Sequence, residues 1–339
     1  MKAVAYRIHE TPSADEPLQD VDLPDPQPGP RDLLVEVRAI SVNPVDTKVR
    51  TRPAAPVGGW KVLGWDATGV VRAVGAEVTA FKAGDRVWYA GDITRAGTNA
   101  ELHVVDERIV GHMPASLDFA QAAALPLTAI TAWELLFDRL GLVPGKAPSN
   151  ARLLVIGAAG GVGSILVQLA SRLTAATVIG TASRAETQAW VRELGAHHVI
   201  DHSRPLAEEL KRIGLNDVTH IASLTHTDHH FAQIVEAIAP QGRLALIDDP
   251  EPIDVRLLKR KSVSLHWELM FTRSMFGTAD MVAQQRLLDE VAKLVDAGVI
   301  RTTVAEHFGA INAANLERAH ALLRSGKARG KIVLEGFGG

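Results

Sequence analysis

Between residues 152 and 173 a run of β-formers, Leu153-Leu154-Val155-Ile156, passes through Gly157-Ala158-Ala159-Gly160-Gly161-Val162-Gly163 into an apolar stretch with helical spacing. No other segment constrains the fold as much. A strand can turn this sharply into a helix only where side chains are small enough for backbone to approach backbone. The alternation then repeats: strands are expected over residues 152–156, 177–181, 198–201, 219–223, 243–247 and 262–266, with helices over 161–172, 185–194, 205–213 and 229–238. Strands alternating with helices predict a parallel sheet covered on both faces. In that setting the turn's N–H groups and the positive end of the next helix suit a pyrophosphate. A dinucleotide is therefore expected at Ala159, Gly160, Gly161, Val162 and Gly163.

The end of the second of these strands tells the two nicotinamide cofactors apart, because an acidic side chain there binds a ribose 2′-hydroxyl. This chain has Thr181-Ala182-Ser183-Arg184 instead. A hydroxyl followed by a guanidinium suits a 2′-phosphate, so NADPH is the cofactor expected, held in part by Ser183 and Arg184. A plainer reading stays open, in which Arg184 opens a solvated helix and pairs with Glu186.

Around this region the patterning differs. From the N-terminus to about residue 110 the period is two, with Leu33, Val35, Val37 and Ala39 on one face and Leu34, Glu36 and Arg38 on the other. Further strands are expected over 68–74, 85–90 and 101–105, and Pro24, Pro26, Pro28 and Pro30 predict an extended surface connector. Helical pieces over 119–125 and 127–137 are divided by Pro126, and Ile130, Trp133 and Phe137 at helical spacing read as core. Beyond residue 275 come an amphipathic helix over 279–296, a short piece near His307, a helix over 315–324 and a strand over 331–335. That last strand needs a partner, and the β-rich N-terminal region offers an edge.

A chain of 339 residues is long enough for two domains. Its 36 Lys and Arg against 39 Asp and Glu leave a formal charge of −3, and nothing demands the basic face that a nucleic acid requires. The start, MKAVAYRIHE, lacks the apolar stretch of a secretory signal, and glycines interrupt the uncharged run over 153–171. A cytoplasmic protein without a membrane segment is expected. Cysteine is absent, which removes thiolate catalysis and every zinc site built on cysteine. The segment His226-Thr227-Asp228-His229-His230 has metal-binding side chains, but metal pairs on a helix recur at i and i+4, whereas His229 and His230 are adjacent. It reads as a polar helix start beside the nicotinamide half of the cofactor, with a metal site as the alternative.

Five segments, in order, resemble the medium-chain dehydrogenase/reductase superfamily, and within it the zinc-free quinone oxidoreductase branch near the group called zinc-type alcohol dehydrogenase-like proteins. They are Asn43-Pro44-Val45-Asp46-Thr47, Gly64 to Val74, Phe81 to Val87, Leu125-Pro126-Leu127-Thr128-Ala129 and the glycine turn. The resemblance covers nearly the whole chain and implies an α/β protein. It predicts a GroES-like β-rich catalytic domain over residues 1–124 and 268–339 and a doubly wound Rossmann domain over 125–267, with ligands beyond the carboxyl ends of the parallel strands. It implies Asn43, Asp46 and Thr128 as catalytic residues around the nicotinamide, and Thr225, Asp248 and Glu268 along the cofactor. The segment His266 to Phe271 is implied beside the nicotinamide, and the rings of Trp65, Tyr89 and Trp267, with Trp133 as an alternative to its core reading, offer flat walls for a planar substrate, so that Trp65, Tyr89, His266, Trp267 and Phe271 are expected at the substrate pocket. Asp46 has a second reading, as the residue that orients backbone around the Asn-Pro turn. A homodimer joined through the edges of the parallel sheets is also implied.

Alcohol dehydrogenases of this superfamily hold catalytic zinc with Cys, His and Cys. Here Asn43 stands at the first ligand position and Trp65 at the histidine position, and no four-cysteine lobe lies between Tyr89 and Leu102. An amide and an indole are poor replacements for thiolate and imidazole. Without a Lewis acid, hydride addition to an activated C=C is easier than alcohol oxidation, because charge arriving at the β-carbon of an enone or quinone flows to its oxygen. The expected activity is therefore NADPH-dependent reduction of quinones or α,β-unsaturated carbonyls, with no metal. A zinc alcohol dehydrogenase with unusual ligands and a dinucleotide-binding protein without turnover are the alternatives.

Overall fold

The period-two stretch around Leu33 becomes an eleven-residue strand, Asp32–Val42, and Leu33, Val35, Val37 and Ala39 are all buried on its inner face. The structure, a computed structural model, describes residues 1–11, 13, 16–52 and 56–338. It divides into two compact units, residues 1–130 with 271–339, and residues 131–270. The first boundary falls later than the 124 read from sequence, because the Leu127 N–H is anchored on Asp66 and the start of helix Pro126–Trp133 goes with the first unit.

In the first unit Asp32–Val42 pairs antiparallel with Ala67–Val74, Leu102–Asp106 and Lys331–Glu335. The sheet continues through Val304–His307 at one end and through Arg86–Tyr89 and Val110–His112 at the other. The C-terminal strand finds its edge in the N-terminal β region, with Ile332 opposite Val42 and Leu334 opposite Ile40. A second sheet joins Gln19–Asp22, Lys2–Arg7 and Trp60–Val62. Alternation misleads at its centre, where Ala3, Val4, Ala5 and Tyr6 are all buried. The four alternate prolines lie outside any strand or helix. The Asn-Pro step read as a turn opens the short helix Pro44–Arg50, with Pro44 at the first position where a missing N–H is harmless.

In the second unit six parallel strands stand in the order His198–Ile200, Thr177–Thr181, Arg152–Ile156, Val218–Ser223, Ile238–Leu246, Ser264–Trp267. Counted along the chain this is the doubly wound order 3-2-1-4-5-6, whose reversal beside the first strand marks the place for a nucleotide. Leu154, Ile179, Ile221 and Leu244 form its core with Phe231 and Ile234 of helix Thr227–Ala237. Several elements differ from expectation. The fifth strand starts at Ile238, directly after the helix, rather than at 243. The helical piece expected through 137 is α-helical to Trp133 and π-helical over Glu134–Arg139. The amphipathic helix of the first unit starts at Ala283 rather than 279. Trp133 and Phe137 are half-buried and meet edge to face, ring centres 4.9 Å apart. The helical run Phe119–Arg139 is long and apolar enough to cross a membrane, and 83% of its most apolar window is buried inside the protein.

Candidate functional site

Gly157 leaves the first parallel strand at φ 81°, in the left-handed region, and Gly160 caps the thirteen-residue helix Gly161–Leu173. A Cβ on Gly163 would lie 2.4 Å from the Gly157 carbonyl oxygen, whereas one on Gly160 would meet only that oxygen, at 3.5 Å. Gly163 thus lets the helix pack against the turn, and the outer side at Gly160, with Ala159, Gly161 and Val162 around it, has room for a ligand. The Gly157 N–H is held at 3.2 Å by the hydroxyl of Thr181, the last residue of the neighbouring strand. Thr225 stands across from the turn, its Cγ2 3.0 Å from where a Gly157 Cβ would be. Ser183 and Arg184 are exposed, Arg184 as the N-cap of helix Ala185–Glu193. This arrangement fits a pyrophosphate followed by a phosphorylated ribose.

Asp248 accepts the Thr227 N–H at 2.9 Å and its hydroxyl at 2.6 Å, so it pins the start of the helix that carries the histidines. That helix begins two residues before the expected start because Thr227 is captured in this way. Among the described residues no group of three or more His, Cys, Asp or Glu side chains is arranged to hold a metal. Glu268 is buried and accepts from Arg139 Nε at 2.8 Å, His266 is half-buried, and Trp267 is 56% exposed on the outermost strand.

The first unit gathers a buried polar network. Asn43 follows the long strand as the N-cap of helix Pro44–Arg50, and its backbone N–H donates to Asp46 Oδ2 at 2.6 Å across the helix start. Asn43 Nδ2 donates to Asp66 Oδ2 at 2.9 Å and to the Ser41 carbonyl at 3.4 Å. Lys331 opens the C-terminal strand and brings its Nζ to Asn43 Oδ1, to the Val42 carbonyl at 2.9 Å and to Asp66 Oδ2 at 3.0 Å. Asp66 Oδ1 accepts the Leu127 N–H at 2.8 Å. Thr128, next in the chain, donates its hydroxyl to the Leu125 carbonyl at 3.0 Å. Asn43, Asp46, Asp66, Thr128 and Lys331 are all buried. Of the three residues expected to be catalytic, Asn43 and Asp46 share this network and Thr128 adjoins it. Sequence reading missed Asp66 and Lys331. The available signal was a charged residue set in an apolar run, as in Gly64-Trp65-Asp66-Ala67 and Lys331-Ile332-Val333-Leu334.

The network holds one ammonium and two carboxylates. Burial pushes the Asp66 carboxyl up, against the Lys331 charge and the donors at Asn43 and Leu127. Asp46 has fewer donors, and its Oδ1 has no hydrogen-bond partner. Burial pushes it up to about 7, only partly opposed by the Asn43 N–H and Lys331. A free aspartate titrates near pH ~4, so between there and neutrality only the folded chain holds this proton. The stability it contributes is complete below pH ~4 and lost by about pH 7. Asp46→Asn has the same shape and no charge to bury. Its melting-derived stability relative to the parent should therefore rise by roughly 2 kcal/mol from pH 5 to pH 8 and then level off. An offset that does not change with pH would mean that Asp46 stays ionised.

Aromatic packing closes the same unit. Trp65 is fully buried, directs its indole N–H to the Asp92 carbonyl at 3.4 Å, and meets Phe271 edge-on at 6.4 Å. Tyr89, also fully buried, stacks on His103 at 5.4 Å with its hydroxyl 3.1 Å from His103 Nδ1. Burial pushes the Tyr89 phenol up and His103 down to about 4, which leaves both neutral. The faces of Trp65 and Tyr89 therefore pack on protein. The donor set does not fit zinc: an indole offers no lone pair, and the cation that Asn43 and Asp66 hold is the Lys331 ammonium.

Residues 29–115 match the family model of an alcohol dehydrogenase GroES-like domain, and residues 194–334 match that of a zinc-binding dehydrogenase. The chain is 39% identical over 311 residues to a zinc-type alcohol dehydrogenase-like protein of Staphylococcus aureus (strain COL), covering 91% of this chain and 92% of that one. It is similar to the solved structure of a Rhizobium etli CFN 42 protein described as a zinc-dependent alcohol dehydrogenase, at 59% identity and TM-score 0.94 over 100% of this chain and 98% of that one. It is also similar to Escherichia coli quinone oxidoreductase complexed with NADPH, at 26% identity and TM-score 0.84 over 99% and 100% of the two chains. With the doubly wound sheet in one unit and the GroES-like β structure in the other, the chain belongs to the medium-chain dehydrogenase/reductase superfamily of oxidoreductases.

Proposed function

We propose that this oxidoreductase uses NADPH to reduce quinones or α,β-unsaturated carbonyls without a metal ion. The observation that carries the reading is the Lys331 ammonium held between Asn43 and Asp66, where zinc enzymes of the superfamily would need thiolate and imidazole. When bound, the cofactor supplies a hydride. The glycine turn and the helix behind it hold the pyrophosphate, and Ser183 and Arg184 take the 2′-phosphate, with Thr225, Asp248 and Glu268 ordering the surrounding segments. The donors of Asn43 and Thr128 are already engaged by Asp66 and by backbone carbonyls, so both act as positioning residues together with Asp46. Solvent then supplies the proton that completes reduction. The Escherichia coli relative supports this reading by its name, a quinone oxidoreductase, and by its NADPH complex, whereas the name of the Staphylococcus aureus relative supports only the superfamily. The second copy of a homodimer would pair on the outer strand Ser264–Trp267, where Trp267 and Leu269 are exposed.

The test is a panel of quinones, enones and alcohols followed at 340 nm with NADPH and NADH, alongside metal analysis of untagged protein. Turnover of the first two classes with NADPH is expected, and Arg184→Asp should weaken NADPH but spare NADH, at about 1.5–3 kcal/mol for each hydrogen bond lost to the phosphate. Alcohol oxidation that requires stoichiometric zinc would instead favour the reading suggested by the description of the Rhizobium etli relative.

A further inference from the structure

Four imidazoles crowd the carboxyl ends of the parallel strands, and the reading above uses none of them. His202 follows the third strand, and the bond from the Ala182 N–H to the Ile200 carbonyl, 3.0 Å, brings its loop beside Ser183 and Arg184. Its Nδ1 lies 3.1 Å from Thr181 Oγ1, the hydroxyl that also accepts the Gly157 N–H. One hydroxyl therefore ties this ring to the phosphate turn.

From the helix that starts at Thr227, His230 meets His202 edge to face, ring centres 6.0 Å apart, so this histidine stands toward Ser183 and Arg184 rather than beside the nicotinamide half as the sequence suggested. His230 Nδ1 is buried with no partner among the described residues. His226, at φ 50°, and His229 complete the group with ring centres 5.8 Å apart. The carboxylates that face these rings are Asp201, on the loop of His202, and Asp228, on the helix. Asp201 is itself engaged by the N–H and hydroxyl of Ser203, with Arg204 close by. Burial holds His202 and His230 below the ordinary imidazole range, and His226 beside both rings acts in the same direction. Burial outweighs Asp201 at His202 and Asp228 at His230, so the added negative charge of a phosphate dianion would favour the protonated rings.

We propose that His202 and His230 form the inner wall of the pocket for the cofactor's 2′-phosphate and that this pocket takes up a proton as the phosphate binds, so that preference for NADPH over NADH sharpens as pH falls. The proposal rests on the NADPH reading above and adds to it a specificity device outside Ser183 and Arg184. The phosphate itself titrates near pH ~6, so the test compares protein variants under identical conditions.

Calorimetric Kd values for NADPH and NADH, with the full chain at pH 6.5, 7.5 and 8.5 in two buffers of different ionisation enthalpy, decide the matter. One linked proton is expected to tighten NADPH binding by roughly tenfold across this range, with net proton uptake, while NADH binding stays flat. His202→Asn with His230→Asn should flatten the NADPH profile and leave NADH affinity unchanged, and His202→Asn alone gives the same comparison if the double variant does not fold. Preference for NADPH with parallel pH profiles in parent and variant overturns this proposal and leaves the cofactor reading standing. Equal affinity for both cofactors at every pH overturns both.

Discussion

Lys331→Met is expected to lower stability by about 3–5 kcal/mol at pH 8, the usual consequence of removing one partner from a buried ion pair. The side chain is 3% exposed, and its Nζ is the cation bonded to Asp66 Oδ2. Methionine fills much of the same volume and supplies none of that charge. Asp66 would keep the Leu127 and Asn43 donors but lose its counter-ion, and Asp46 would lose the positive charge that partly offsets its burial. For a unit of this size the melting temperature should fall by roughly 10 °C. Two controls separate charge from packing. Acidification to pH 5 should reduce the loss as the carboxyls take up protons, and adding Asp66→Asn to Lys331→Met should recover most of it. A loss unchanged by either would show that Lys331 matters through its alkyl chain.

The second large effect is expected at the glycine turn. A Cβ at residue 163 would lie 2.4 Å from the Gly157 oxygen and 2.6 Å from the backbone of Ala158, atoms that cannot rotate away. Gly163→Ala must therefore lift the helix start off the turn, and with it the N–H groups proposed to hold the pyrophosphate. If two such hydrogen bonds are lost, at about 1.5–3 kcal/mol each, cofactor affinity falls by at least about a hundredfold. Gly160→Ala is the matched control for folding, since its Cβ would meet only one atom, at 3.5 Å. Its melting temperature should match the parent's, whereas that of Gly163→Ala should fall. Equal melting temperatures and equal cofactor affinities for Gly163→Ala and the parent would show that the turn is looser than its packing implies.

Both predictions concern residues whose importance was unequally legible. The glycine turn could be read directly, because its constraint is steric and local: Gly157, Gly160 and Gly163 lie within seven residues of one another. The same holds for strands such as Arg152–Ile156, Thr177–Thr181 and Lys331–Glu335, whose bounds follow from periodicity and turn residues alone. Reading was weaker where tertiary contacts set an element's limits. Helix Thr227–Ala237 starts early because Asp248, on a different loop, captures Thr227. Four consecutive residues of Lys2–Arg7 are buried although the local pattern suggested one solvated face.

By itself the sequence determined the α/β alternation, the doubly wound unit with its phosphate turn, and the lack of cysteine donors for a metal. Only the tertiary structure decided what occupies the interior beside Asn43. Lys331 lies 288 residues away along the chain, and nothing in Lys331-Ile332-Val333 says which charge it will meet. Its partners are settled when Lys331–Glu335 pairs with Asp32–Val42 and the Leu127 N–H docks on Asp66. Sterics and periodicity act over a few residues and survive as local pattern, whereas a buried charge is stabilised by whichever counter-charge the fold brings within about 3 Å.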